Sequence, residues 1–96
     1  DSTNKTMKRI RTMLDETNDI YTQIKIDKSV QSSIMKLFPP QTQYLNQTVK
    51  KGDATGALHA LKTLSNYLSV IGSKQQNIYT LEQKITVIME NAKTQF

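Results

Sequence analysis

Apolar residues recur in steps of three and four along almost the whole of this chain, and nothing in it alternates with the period of two that a strand requires. The pattern is clearest between Thr55 and Ile71, where Ala57, Leu61, Leu64, Leu68 and Ile71 follow one another at four, three, four and three. Residues so spaced share one side of a helix, because about 3.6 residues complete a turn. Gly52-Asp53 stands just before this segment and Gly72-Ser73 just after it. Asp53 is suited to accept from the free N–H groups of a first turn, and Gly72 to take the left-handed conformation that closes a last one. The spacing therefore predicts a capped helix over 55–71.

The rest of the chain follows the same rhythm. Met7, Ile10, Leu14, Thr17, Tyr21 and Ile24 give a first helix of about 20 residues, widened by Met13 and Ile20. A break is expected around 26–28, with Asp27 or Ser29 capping the next segment. Val30, Ile34, Leu37 and Phe38 then run into Pro39-Pro40, and Tyr44, Leu45 and Val49 carry the seam on to Lys51. Two prolines remove two backbone donors and crowd the preceding turn, so two short helices in series, 29–38 and 40–51, are expected to act as one kinked rod. Ser73 and Gln76 form a capping-box pattern ahead of Ile78, Leu81, Ile85, Ile88 and Ala92.

Four rods joined by short connections predict an all-α, up-down-up-down four-helix bundle, its second rod broken at Pro39-Pro40. Its expected core on the first two rods is Ile10, Leu14, Tyr21, Ile24, Val30, Ile34, Leu37, Leu45 and Val49. On the last two rods the expected core is Ala57, Leu61, Leu64, Leu68, Ile71, Ile78, Leu81, Ile85 and Ile88. Ninety-six residues amount to one domain, 1–96, near the lower limit for a core without staples. The chain begins at Asp1 rather than at Met, and a domain excised or processed from a longer chain is expected. With no Cys there is no disulfide, thiolate metal site or thiol catalysis. No run of apolar residues reaches membrane-spanning length, and the reading leans to a soluble, intracellular setting.

Side chains that could carry chemistry are few. Asp15, Glu16 and Asp19 are the one carboxylate cluster, but a di-metal bundle site needs inward carboxylates with a Glu-x-x-His pattern, which the chain lacks. No metal or cofactor is expected. The one histidine, His59, falls away from the seam, with Lys62 one turn on. His59-x-Leu61-Lys62 on the outer face of a bundle resembles the histidine phosphotransfer domains. That resemblance implies a phosphoacceptor at His59, with Lys62 neutralising the phosphate. A second resemblance rests on Lys8-Arg9-Ile10, Met13-Leu14-Asp15, Ser29-Val30 and Gly52-Asp53 ahead of Ala57-Leu58. These look like the helical domain shared by the steroid receptor RNA activator protein and the COPII outer-coat subunit. It implies a helical interaction module without catalysis.

Charge points to partners independently of family. The chain carries 13 Lys and Arg against 8 Asp and Glu, a net +5. In an up-down bundle Lys5, Lys8, Arg9 and Arg11 would share one end with Lys50, Lys51 and Lys93, offering a basic surface to an acidic protein partner. The leading expectation is a non-enzymatic helical-bundle module for protein–protein interaction or scaffolding. The alternatives are phosphotransfer through His59 and a basic module docking on RNA or an anionic surface.

Overall fold

A computed structural model describes residues 2–96, and the chain forms two helices and one turn. Helix α1 is Ser2–Lys51 and helix α2 is Ala54–Gln95. They lie antiparallel along their lengths as a rod of 76 × 16 × 14 Å, with a radius of gyration of 21.7 Å. A compact domain of this size would have a radius near 13 Å. The class is all-α as expected, but two extended helices stand where four rods were anticipated.

Only one of the expected breaks is a turn. Gly52 has φ +71°, the left-handed conformation that an L side chain enters at a cost. Its N–H donates to Val49 O at 3.1 Å, and the Asp53 N–H donates to Thr48 O at 2.9 Å, so two terminal carbonyls of α1 are satisfied. Asp53 then caps α2 as anticipated, its Oδ1 accepting from the Gly56 N–H at 2.9 Å. Gly56 must be small: a Cβ there would lie 2.4 Å from Asp53 Oδ2 and 2.9 Å from Thr48 Cγ2.

Elsewhere the helices run on. Asp27 and Ser29 lie inside α1, and Gly72, Ser73 and Gln76 lie inside α2, so none of them acts as a cap. Gly72 sits on the outer surface, where a continuous helix loses only its modest helix propensity. Pro39 and Pro40 also lie within α1. Fifty residues at 1.5 Å each make about 75 Å of straight helix, and the long dimension of 76 Å leaves no room for a sharp kink. The carbonyls of Met35 and Lys36 lose their helical partners to the two prolines, but both residues face solvent, where water can substitute.

The seam between the helices keeps the three-four rhythm with a shifted phase. On α1 the covered positions are Met13, Thr17, Ile20, Ile24, Asp27 and Gln31, then Ile34, Phe38, Gln41, Leu45 and Thr48. On α2 they are Ala57, Ala60, Leu64, Tyr67, Ile71 and Lys74, then Ile78, Leu81, Ile85, Ile88 and Ala92. This is the heptad spacing of an antiparallel coiled coil. Of the expected core, Ile24, Leu64 and Ile78 are buried, and Ile10, Leu14, Tyr21, Leu37, Val49, Leu61 and Leu68 are exposed. The physical reason is that α1 and α2 each carry two adjacent apolar stripes, and a two-helix rod can close over only one.

Polar groups interrupt the seam at mid-rod. Asp27 is 2% exposed, accepts from Gln23 Nε2 at 3.2 Å, and has Lys74 Nζ at 3.8 Å from its Oδ1. Gln31 Nε2 donates across the seam to Ile71 O at 3.2 Å and to Gln75 Oε1 at 3.0 Å. Such groups find partners only at one axial alignment of the helices, so they specify register at some cost in stability.

Candidate interaction surface

The stripe left uncovered is continuous in register. Met7, Leu14, Tyr21, Met35 and Val49 occur on α1 at multiples of seven residues, each beside the seam, and all are exposed. On α2, Leu61, Leu68, Met89 and Phe96 hold the equivalent place with the same period, and they are exposed too. In an antiparallel pair, equivalent flanking positions fall on the same side of the rod. The contacts agree: Leu14 and Met89 line one open groove together, and Met35 and Leu68 line another. One broad face thus presents nine large apolar side chains, each between 41% and 64% exposed. Exposed apolar side chains grouped on one face make this the candidate surface for a partner.

The face is interrupted near its middle and again at Thr42. Stepping seven residues inward from Leu14 and Met89 gives Tyr21 and Glu82, and one step further gives Lys28 and Gln75. Among the described residues neither the Lys28 ammonium nor the Glu82 carboxylate takes part in a salt bridge. Beyond them Met35 and Leu68 resume the apolar surface. The opposite face is mixed, with Glu16, Gln23, Asn77 and Lys84 along its grooves beside the apolar Ile20, Val87 and Ile88. Leu37, Tyr44 and Val70 add smaller apolar exposures on that side, toward the turn.

The anticipated basic end divides in two. Lys5, Lys8, Arg9 and Arg11 lie with Lys93 at the open end of the hairpin, whereas Lys50 and Lys51 close α1 at the turn. Arg11 and Lys50 are 39 residues apart in one helix, which is about 58 Å. The expected clustering depended on the chain turning back near Ile26–Lys28, and α1 does not turn there. Asp1 lies outside the described residues. At the open end Arg9 hydrogen-bonds to Gln95 Oε1 and lies 5.1 Å from the centroid of the Phe96 ring, joining the two helices.

His59 and Lys62 are both exposed, as their spacing anticipated. The Thr63 hydroxyl donates to the His59 carbonyl at 3.0 Å. Among the described residues, no group of three or more His, Asp or Glu side chains is placed to hold a metal ion, and Asp15, Glu16 and Asp19 lie exposed on α1. No helix is long and apolar enough to cross a membrane, again among the described residues.

Sequence reasoning assigned Leu14, Tyr21, Val49, Leu61 and Leu68 to an internal core and did not anticipate an exposed apolar face. The signal that separates the two stripes is the run of polar seam residues, Asp27, Gln31, Gln41 and Thr48, at the same heptad spacing as Ile24, Ile34 and Leu45. Comparison with known families, curated proteins and solved structures gives no match. Fold and surface together place the chain in the class of antiparallel helical hairpins with one face uncovered.

Proposed function

We propose that this chain is a non-enzymatic interaction module, a stiff helical hairpin that docks onto protein through its apolar face. The observation that carries this reading is the register of Met7, Leu14, Tyr21, Met35 and Val49 with Leu61, Leu68, Met89 and Phe96 on one side of the rod. Burying a large aliphatic or aromatic side chain is worth on the order of 1.5–3 kcal/mol, so leaving nine half-exposed is a large unsatisfied free energy. Catalysis would call instead for converging polar groups in a pocket. The grooves along this face are open and apolar, lined by side chains such as Ile10, Met13, Phe38 and Ile71. An extended polyanion would favour one basic track, whereas Lys5, Lys8, Arg9 and Arg11 lie at one end of the rod and Lys50 and Lys51 at the other.

The test is positional. Photo-cross-linking side chains are placed at Leu14 and Leu68 on the apolar face, and at Thr22 and Gln76 on the outer surface, in the cell that makes the protein. Protein adducts from the first pair and none from the second are expected. Equal labelling from both pairs would remove the reading.

A further inference from the structure

We infer that the apolar face is covered by the same face of a second copy of this chain, with the two rods antiparallel and related by a two-fold axis between the Tyr21–Glu82 and Lys28–Gln75 levels. This inference rests on the interaction-module reading and names its partner.

Three observations select the occupant. The first is charge. A two-fold at that level sets the Tyr21–Glu82 step of one copy against the Lys28–Gln75 step of the other, twice over. Lys28 and Glu82, both exposed and without a salt bridge inside the chain, then become diagonal partners at the centre of the interface. Opposite charges so placed fix orientation and register. The second is apolar matching. The same axis sets Leu14 and Met89 against Met35 and Leu68, and Met7 and Phe96 against Thr42 and Leu61, so the uncharged steps meet mainly apolar ones. A self-complementary patch of this kind is what a closed two-fold dimer requires.

The third is area and core. Eight of the nine large side chains, Val49 lying beyond the overlap that this axis sets, offer on the order of 800 Å² per partner, the size of a standard stable interface. The hairpin alone buries only Ile24, Ala60, Leu64 and Ile78 among its hydrophobic residues, which is little for 96 residues. Two stacked hairpins make a four-helix bundle, the layered arrangement that buries both stripes of each helix. A parallel dimer would place both copies of Lys8, Arg9 and Arg11 at one end, whereas the antiparallel one sends them to opposite ends.

The experiment uses the full chain. Sedimentation equilibrium should give twice the 10.9 kDa of one chain. Lys28→Glu sets like charges together, and so does Glu82→Lys. Each should weaken the dimer about tenfold, and the double variant should return to within about threefold of the parent. These positions are exposed, so helicity by circular dichroism should not change; if a reversal does perturb it, the neutral pair Lys28→Gln and Glu82→Gln is used for the same cycle. A spin label at Gln43 should report a separation of about 55 Å between copies in the antiparallel dimer, against under about 30 Å in a parallel one. A single-chain mass up to about 100 μM would overturn the inference. So would a double reversal no better than the singles, or the short label distance. A monomeric chain that still yields cross-links to another protein from Leu14 and Leu68 would sink the self-association alone and keep the interaction module. A monomer without such cross-links would sink both.

Discussion

Lys74 reaches across the seam to Asp27, its Nζ 3.8 Å from a carboxylate whose side chain is only 3% exposed, while its own side chain keeps 31% of its surface in water. The pair is unequal: the acid is committed to the interior and the base is anchored at its edge. Removing the cation should therefore cost more than the pair itself contributes. Lys74→Met is expected to destabilise the fold by about 2 kcal/mol, because Asp27 is left buried without its counter-charge. Changing both residues to Leu should recover most of that loss. Urea unfolding of Lys74→Met and of the double variant decides it, and a harmless Lys74→Met would show that Gln23 alone satisfies Asp27.

The three glycines should respond in different directions. Gly72 has a helical backbone and nothing within 4 Å of an added Cβ, so Gly72→Ala should stabilise. The expected gain is about 0.5–1 kcal/mol. Gly52→Ala should cost about 1–2 kcal/mol through its positive φ, and Gly56→Ala should cost more than the Gly72 change gains, because Asp53 and Thr48 stand in the way. Thermal melts of the three variants separate these outcomes. A stabilised Gly52→Ala would mean that the turn lies elsewhere.

Truncations on α2 discriminate between the two stripes. Leu64→Ala should cost about 2–5 kcal/mol, as for a buried core leucine. Leu61 is half exposed in the hairpin. Measured at high dilution, Leu61→Ala should cost under about 1 kcal/mol. Similar losses at both positions under those conditions would place the seam on the other stripe.

Pro40 is an unusual resident of a helix interior, and its ring faces solvent. Restoring the donor with Pro40→Ala is expected to stabilise the chain by about 1–3 kcal/mol. Backbone amides just after the prolines should exchange with solvent faster than those near Ile24, and the substitution should slow them. Amide exchange followed by mass spectrometry reads both effects. No change in stability would mean that the helix is already open at this point.

His59 gives a control. It is exposed, so His59→Gln should leave stability within about 0.5 kcal/mol of the parent by chemical denaturation.

Helical class was legible because every segment repeats the three-four rhythm. The cap at Asp53 was legible because Gly52 precedes it. The number of helices was not. A glycine such as Gly72 costs a helix about 1 kcal/mol, which the seam through Ile71, Lys74 and Ile78 outweighs by keeping its phase across it. The phase was misread for a related reason. Leu14, Tyr21, Leu61 and Leu68 are more hydrophobic than Thr17, Asp27, Gln41 and Lys74, so a reading by hydrophobicity takes the outer stripe as the core. Which stripe faces the partner helix depends on the single turn at Gly52, far from most of these residues in sequence. The basic surface was misplaced because its two halves were brought together by a turn that α1 does not make.

Because one tight turn joins the rods, neighbouring residues near Gly52 are close in sequence, while Arg9 finds Gln95 across 86 residues. Contacts therefore form most cheaply at the turn and become entropically dearer toward the open end. Under mechanical load the hairpin is anisotropic. Tension applied between residues 9 and 95 peels the helices apart one heptad at a time and needs little force. The same tension applied between residue 9 and the turn runs along the single helix α1 and loads its backbone hydrogen bonds rather than the seam, so direction of pull decides how strong this rod is.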